Sequence, residues 1–227
     1  MSNSINEPKA QGSRASEELE GMVAEYYSKK LEEFGVSHRG VDWNSTESQE
    51  LRFDQLLKVV DWNKPFLVND LGCGYAAMYD YMKSLKATQN QEFQYLGYDL
   101  SDAMVAAATS LHADDKNCKF IQSSNLELAD YTIASGIYNV RLEISDSEWL
   151  DYIDSSLESV NNASRLGFAF NMLTSYSDLD KRRDYLYYAD PCKYFDLCKK
   201  RFSKNVAVLH DYGLYEFTII VRKPASI

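Results

Sequence analysis

The sequence predicts an α/β fold, a doubly wound and mostly parallel sheet of seven strands that ends in an antiparallel hairpin. Short apolar segments typical of buried strands alternate with helical segments over residues 66–210. Only the turn Asp211–Gly213 separates the last two strand segments, and a turn this short predicts the hairpin. A chain of 227 residues with 45% apolar content is large enough for one such core.

Seven segments have the apolar or alternating pattern of strands. Helical segments are expected between the first six strands, which makes those six parallel and leaves the seventh reversed. The strand segments are FLVNDL (66–71), YLGYDL (95–100), CKFIQ (118–122), YTIAS (131–135), LGFAFNML (166–173), NVAVLH (205–210) and LYEFTIIV (214–221).

The helices are predicted from apolar spacing and from capping residues. Two of them precede the first strand, one over Met22–Phe34 and one whose apolar stripe runs from Leu51 to Val60. A third follows the glycine-containing turn, over Met78–Leu85. Capping residues mark the later helices: Ser101, the Ser145–Glu148 capping box, and Asp190 followed by Pro191.

The chain is expected to form one domain with an N-terminal extension. Residues 1–20, rich in Ser, Asn, Glu and Gly, are predicted to be a flexible arm, and residues 21–63 helices that cover a ligand site. Residues 64–227 are predicted to be the α/β domain. Within it, residues 174–190 are a long connection dense in tyrosine and charge, either a lid over the substrate or an extra amphipathic helix.

Composition excludes several function classes. A formal charge of −10 disfavours nucleic acid as a partner and favours a small uncharged or cationic one. No apolar run approaches the ~18 residues of a membrane span, and the polar N-terminus lacks a secretory signal, so we expect a cytoplasmic protein. The four cysteines and three histidines show no zinc-ligand spacing, so no metal site is predicted.

The stretch NDLGCGYAAM (69–78) carries the main functional signal. Gly72 and Gly74 permit a tight turn and close approach of backbone to a ligand. A dinucleotide fingerprint needs a third glycine where this chain has Ala77, and the Asp70 carboxylate would repel a pyrophosphate but attract a cation. Asp99 ends the second strand, where an acid takes the hydroxyls of a ribose. The turn therefore predicts a site for a nucleoside that carries positive charge and no phosphate.

At these residues the chain resembles a known family. DLGCGYA (70–76) and YLGYDLSDAM (95–104) are similar to the first-strand and second-strand motifs of class I S-adenosylmethionine-dependent methyltransferases. The resemblance covers roughly residues 50–222 and implies a Rossmann-like methyltransferase domain, with S-adenosylmethionine as cofactor and S-adenosylhomocysteine as product. Two departures are visible: Ala76 replaces the usual third glycine of the first motif, and Ser124–Asn125 replaces the acid after the third strand.

The resemblance also implies roles for individual residues. Gly72, Cys73 and Gly74 would approach the methionine portion and the ribose, Asp70 would hold the amino group, and Asp99 would bind the ribose hydroxyls. The adenine would be bound by Leu100, Met104, Ser124 and Asn125. Two residues of the N-terminal helices have open alternatives: Arg52 either pairs with the cofactor's carboxylate or is an exposed charge, and Tyr27 either closes over the cofactor or packs on the core.

The acceptor side is expected at the carboxyl ends of the later strands, because methyl transfer requires the acceptor in line behind the methyl group. His210 is the candidate general base, with a structural role in the hairpin as its alternative. The other candidate substrate residues are Tyr138, Asn171, Tyr176 and Tyr212.

Several functions stay open at this point. The leading hypothesis is a methyltransferase, monomeric or homodimeric, that acts on an O or N atom of a small polar metabolite. Alternatives are a protein or glycan acceptor, and a non-catalytic S-adenosylmethionine-binding protein. An NAD-dependent oxidoreductase is disfavoured by Asp70 and by the missing glycine.

Overall fold

The computed structural model describes residues 11–41, 45–89 and 92–224, and within these ranges seven strands join into one sheet. The strands are β1 (Phe66–Leu71), β2 (Phe93–Asp99), β3 (Cys118–Gln122), β4 (Ala129–Ala134), β5 (Ser164–Leu173), β6 (Asn205–Leu209) and β7 (Glu216–Arg222). The helices are α1 (Gln11–Phe34), α2 (Thr46–Leu57), α3 (Ala77–Gln89), α4 (Asp102–Leu111), α5 (Asp146–Asn162) and α6 (Pro191–Arg201).

The strand order is β3-β2-β1-β4-β5-β7-β6, and β7 alone runs antiparallel to its neighbours. The predicted fold class is confirmed, with six strands in one direction and the last one reversed. One connection differs from the prediction: the loop 123–128 joins β3 to β4 without a helix. Strand order reverses between β1 and β4, and in doubly wound sheets the ligand crevice lies at the carboxyl ends of the strands at such a point.

Two apolar layers cover the two faces of the sheet, and β5 shows how the sequence separates them. Phe168 and Phe170 face the layer that contains residues of α5 and α6, whereas Ala169 faces the layer that contains residues of α2 and α3. This alternation follows from the period of two in a strand. Side chains on both faces are buried, as expected for a sheet covered by helices on both sides.

Helix α1 begins at Gln11, so the predicted arm is wrong over residues 11–20, and residues 1–10 lie outside the described part of the chain. Leu19 and Val23 are buried against the core, and the Ser28 and Ser101 hydroxyl oxygens lie 2.8 Å apart. The helix therefore packs against the domain at the start of α4. None of the described helices is long and apolar enough to cross a bilayer.

The connection 174–190 contains one 3-10 turn, Leu179–Lys181, in place of the amphipathic helix that was one of its two interpretations. A bridge between Val140 and Leu186 fixes it to the loop after β4, and a second bridge, between Thr174 and Ala189, joins its own two ends. The Arg182 side chain donates to the carbonyl oxygens of Ser175 and Ser177. The interpretation as a helix is thus wrong, and the lid role stays a prediction.

Candidate functional site

A cleft of about 740 Å³ lies at the carboxyl ends of the central strands. The ends of β1, β2 and β4 form its floor, while α1, α5 and the connection 174–190 supply walls. Its size is typical of a small-molecule site, for which ~300–1,000 Å³ is usual. The sheet therefore places a ligand-sized cleft at the predicted crossover.

The glycine turn presents bare backbone to this cleft. Gly72 and Gly74 have φ values of +78° and +53°, in the left-handed region that favours glycine. The amides of Gly72 and Cys73 both donate to the Tyr98 carbonyl oxygen, at 2.7 and 2.9 Å, which ties the turn to β2. A Cβ atom on Gly72 would lie 2.2 Å from the Ile137 Cγ2 atom. No larger residue fits this turn without moving its neighbours.

Replacing Gly72 by Ala should therefore cost more stability than the same change at Gly35. Gly35 has a similar φ of +64° with no heavy atom within 4 Å of an added Cβ atom, so its cost is the backbone conformation alone, about 1–2 kcal/mol. Gly72→Ala adds steric overlap with Ile137, worth about 1–3 kcal/mol more. Urea unfolding of the two variants measures the difference, and equal losses would show that Ile137 yields freely.

Asp99 joins the end of β2 to the glycine turn. Its Oδ2 atom accepts from the Gly74 amide at 2.9 Å, and its Oδ1 atom accepts from the Ser101 amide at 2.9 Å. Burial raises the pKa of Asp99, and the two backbone hydrogen bonds oppose that rise. The two hydrogen bonds thus fix the orientation of the carboxylate, which lines the cleft at the end of β2.

Asp70 is the more deeply placed carboxylate, with 2% of its surface exposed. Its Oδ2 atom accepts a short hydrogen bond from the Tyr95 hydroxyl, whereas its Oδ1 atom has no partner among the described residues. Burial raises the pKa of Asp70 to about 7; the Tyr95 hydrogen bond opposes this rise and the nearby Asp99 charge adds to it. A buried acid with an unsatisfied oxygen beside a cleft is complementary to a cationic ligand.

Arg52 belongs to a buried network. Its Nε and Nη2 atoms donate to the Glu216 Oε1 atom at 2.8 and 2.6 Å, and Glu216 is 1% exposed. The Glu216 Oε2 atom accepts from the Asn171 Nδ2 atom at 2.5 Å, and the Asn171 Oδ1 atom accepts from the Gly136 amide at 2.7 Å. The interpretation of Arg52 as an exposed helix charge is wrong, because the side chain is buried and paired while it still lines the cleft.

All the predicted cofactor residues line the same cleft. Besides the two acids and Arg52, the structure brings to it Gly72, Cys73, Gly74, Leu100, Met104, Ser124, Asn125 and Tyr27. The full set comes from α1, α2, the ends of β1 and β2 with the turns that follow them, α4 and the loop after β3, so it converges only in the folded chain. Their ligand contacts stay a prediction.

The predicted acceptor residues are placed differently. Tyr138 is fully buried against Phe170, and its hydroxyl oxygen lies 2.9 Å from that of Ser156. Asn171 is fully buried in the Arg52–Glu216 network. Neither residue is among those that line the cleft, although their hydrogen-bond partners Ser156 and Glu216 are, and a role at a substrate stays a prediction. The turn after β4 directs Tyr138 into the core and its neighbour Asn139 into the cleft.

The three other acceptor candidates are not among the residues that line the cleft, although the adjacent segment 213–216 is. Tyr176 is 68% exposed and its ring lies 5.8 Å from that of His210, while the Tyr212 hydroxyl lies 3.1 Å from the Thr218 hydroxyl. His210 follows β6, and β6 is the edge strand, four positions from β1 in the sheet. At ~4.8 Å per strand this is about 19 Å. The hairpin order thus removes His210 from the cleft floor.

Further residues that the sequence does not identify line this part of the cleft. They lie on α5, in the loop after β4, on the connection 174–190 and at the start of β7: Ser155, Ser156, Ser159, Asn139, Lys181, Arg183, Tyr185, Tyr188 and Glu216. The spacing Ser155, Ser156, Ser159 on one helical face is the one signal that the sequence carried. This spacing does not predict a site, because helical periodicity identifies a polar face of a helix but does not show whether that face borders solvent or a cleft.

No protein-family model matches the chain. A presumptive methyltransferase of Mycobacterium tuberculosis is 52% identical over 168 residues, which are 74% of this chain and 99% of that protein. Magnesium protoporphyrin IX methyltransferase from Synechocystis PCC 6803, solved with bound SAM, has a TM-score of 0.62 at 13% identity, over 96% of this chain and 100% of that one.

A third similar protein is phosphoethanolamine N-methyltransferase 1 of Haemonchus contortus, solved with phosphoethanolamine and S-adenosylhomocysteine. Its TM-score is 0.61 at 11% identity, over 96% of this chain and 51% of that one. At these identities the two solved structures establish the fold, and the relative at 52% establishes the family.

Proposed function

The chain belongs to the class I S-adenosylmethionine-dependent methyltransferases, and from this premise we propose that it methylates an O or N atom of a small polar metabolite. The observation that carries the proposal is the convergence of Asp70 and Asp99 on one cleft around a bare glycine turn. The acceptor class rests on the residues that line the rest of that cleft.

The residues present fit the cofactor that the family uses. The glycine turn leaves backbone where a Cβ atom would collide with Ile137, and Asp70 keeps a buried oxygen without a partner among the described residues. A carboxylate at this position matches the positive charge of the cofactor's amino group, and a second one can accept hydrogen bonds from ribose hydroxyls. We assign Asp70 to the amino end and Asp99 to the ribose hydroxyls, with Leu100 and Met104 against the adenine. Bound S-adenosylmethionine supplies an electrophilic methyl group.

The protein's own contribution is positioning and exclusion of water. Helix α1 covers the cleft with Tyr27, Val23 and Glu20, and the connection 174–190 closes the opposite wall. The Arg52–Glu216–Asn171 network fixes the loop after β4 through the Gly136 amide. Holding two reactants in line within such an enclosure accounts for a large part of the rate of a bimolecular displacement.

A small polar acceptor suits the remaining lining. Ser155, Ser156 and Ser159 of α5 and Asn139 of the loop after β4 offer hydrogen-bonding groups, while Tyr185 and Tyr188 offer rings. These groups line a concave cleft of about 740 Å³ rather than an open face, which favours a metabolite over a protein or a glycan chain.

His210 is not needed for this reaction. Its imidazole is exposed and does not line the cleft, so His210→Ala should retain turnover within about twofold of the parent, far from the ~100-fold loss expected for a general base. Initial rates at pH 6.5, 7.5 and 8.5 test this. A rate loss that grows towards high pH would show that His210 acts as a general base.

The experiment that tests the proposed function is methyl transfer into a metabolite extract. Purified protein with methyl-labelled S-adenosylmethionine is expected to place label on a small compound that gains one methylene mass. Label on protein or polysaccharide would overturn the small-metabolite acceptor. Tight cofactor binding with no labelled product in any fraction would leave the non-catalytic cofactor-binding alternative as the correct one.

A further inference from the structure

The cleft has acidic side chains at one end and basic side chains at the other. The carboxylates of Asp70 and Asp99 lie at the ends of β1 and β2, and the charge of Arg52 is matched by Glu216. The remaining basic residues of its lining, Lys181 and Arg183, come from the connection 174–190. That connection leaves the end of β5, which stands three places from β2 in the sheet, about 14 Å at ~4.8 Å per strand.

Arg183 is held in place by its backbone, with its charge uncompensated. Its amide donates to the Tyr188 hydroxyl at 3.0 Å and its carbonyl oxygen accepts from the Leu186 amide at 3.1 Å. The guanidinium donates to the Arg182 carbonyl oxygen at 3.1 Å, and no carboxylate lies within 4.0 Å of it in the part of the chain that the structure describes. The side chain is exposed, and its Nε and Nη2 atoms have no acceptor among the described residues, so they can donate to a ligand from an anchored backbone.

Lys181 adds a second positive charge beside it. Its Nζ atom lies 3.4 Å from the Asp180 carboxylate, and the two side chains are 60% and 74% exposed. Exposed pairs of this kind hold little free energy, so an incoming anion can compete for the ammonium group. The chain has a net charge of −10, yet this part of the cleft carries two basic side chains. The cleft is therefore locally basic in an acidic protein.

From this division we infer that the acceptor carries an oxyanion, a carboxylate or a phosphate, which Arg183 binds with Lys181 beside it. The inference rests on the proposed function, since it names the class of the same acceptor. The guanidinium fork matches either oxyanion with two parallel hydrogen bonds. The net charge of the chain predicts an uncharged or cationic partner. The inference replaces that partner with a small anion, and its methylated atom lies towards the serines of α5.

The first test uses inorganic phosphate and acetate as probes, with and without saturating S-adenosylhomocysteine. Titration is followed by the NMR signal of the Arg183 Nε–H group, identified by its loss in Arg183→Lys. Arg165, which pairs with Asp130 at 3.5 Å and does not line the cleft, is the internal control. We expect a saturable shift at Arg183 with a Kd at least tenfold below that at Arg165. Equal or non-saturating shifts for both arginines would overturn the inference.

The second test uses the acceptor found by label transfer. Arg183→Gln should raise KM for it by about 10–100-fold with kcat changed less than about threefold, and Arg183→Lys should recover part of the loss. Arg165→Gln should leave both constants unchanged. S-adenosylhomocysteine affinity should be the same in parent and Arg183→Gln. An equal loss of affinity would mean that Arg183 serves the cofactor's carboxylate, and an unchanged KM would mean that it serves neither; each result overturns the inference.

The third test asks whether the acceptor is an anion at all. The labelled compound should be retained on a strong anion exchanger at pH 8. If phosphatase treatment abolishes this retention, the anionic group is a phosphate. If esterification abolishes it and phosphatase does not, the group is a carboxylate. A compound that flows through uncharged overturns the inference and leaves the methyl transfer standing. Absence of any labelled product contradicts the proposed function instead. In that case the phosphate titration alone decides whether Arg183 binds an anion.

Discussion

Asp70→Asn is expected to make the protein more stable at pH 8 and a weaker binder of S-adenosylmethionine. The Asp70 carboxyl is buried, and its pKa is raised from 3.8 to about 7. The folded state therefore carries an unfavourable charge at pH 8 that the amide lacks, while the amide still accepts from the Tyr95 hydroxyl. The same substitution removes the negative charge that we assign to the cofactor's amino end.

The sign of the pH dependence follows from this raised pKa. Because the folded pKa exceeds the unfolded one, the parent loses stability as pH rises from about 4 to 7, on the order of 4 kcal/mol in total. We expect Asp70→Asn to raise the Tm by about 5–10 °C at pH 8. The gain should shrink below pH 7 and vanish near pH 4. Thermal unfolding at pH 4.5, 6 and 8 tests this.

Cofactor affinity should show the complementary dependence. Parent affinity for S-adenosylmethionine should fall by up to about tenfold per unit as pH drops below 7, because binding to the carboxylate must first displace a proton. The affinity of Asp70→Asn should be lower at pH 8 and nearly flat with pH. Calorimetric titration over pH 6–8.5 measures both. A parallel pH profile in the two proteins would show that Asp70 does not face the cation.

Asp115→Asn is the matched control, because Asp115 is also an acid that accepts from a tyrosine hydroxyl. The Tyr79 hydroxyl donates to it at 2.7 Å and Lys83 lies at 3.1 Å, and together they lower its pKa from 3.8 to about 2. Its stabilisation is present above pH 4 and is lost as pH falls towards 2. Asp115→Asn should therefore lower the Tm at pH 8 and leave cofactor affinity unchanged.

The sequence was sufficient for the fold because its strands and caps are local signals. The predicted caps Ser101 and Asp190 accept from the amides of Met104 and Cys192, and Pro191 opens α6 as expected. The positions of the glycines and acids that we assign to the cofactor were likewise predictable, since these residues lie at the ends of β1 and β2. A turn that directly follows a strand is fixed by a few residues, because backbone sterics leave it few allowed conformations.

The acceptor end could not be predicted, because it depends on side-chain directions at the ends of loops. Tyr138 and Asn139 are adjacent, yet one is in the core and the other lines the cleft. Glu216 stands at the start of β7, in a segment whose apolar pattern suggests only a buried strand. Its pairing with Arg52, 164 residues earlier, is a long-range contact that periodicity does not encode.

The second large effect is expected on breaking that pair. Arg52→Met leaves the Glu216 carboxylate, 1% exposed, with the Asn171 amide as its donor and without a compensating charge. Removing one partner of a buried pair typically costs 3–5 kcal/mol, so we expect the Tm to fall by about 10 °C or more. Arg201 pairs with Asp154 and Glu158 at the surface, and Arg201→Met should cost about 1 kcal/mol or less.

The double variant Arg52→Met with Glu216→Gln separates structural pairing from cofactor binding. The glutamine oxygen still accepts from Asn171 and no unpaired charge is left, so most of the lost stability should return. If S-adenosylmethionine affinity returns with it, Arg52 acts by holding the network and the loop at Gly136. If stability returns while affinity stays at least tenfold low, the Arg52 guanidinium contacts the cofactor's carboxylate, which was one of the two interpretations of this residue from the sequence. A single Arg52→Met variant within 1 kcal/mol of the parent would show instead that water reaches the pair and that the network does not fix the loop.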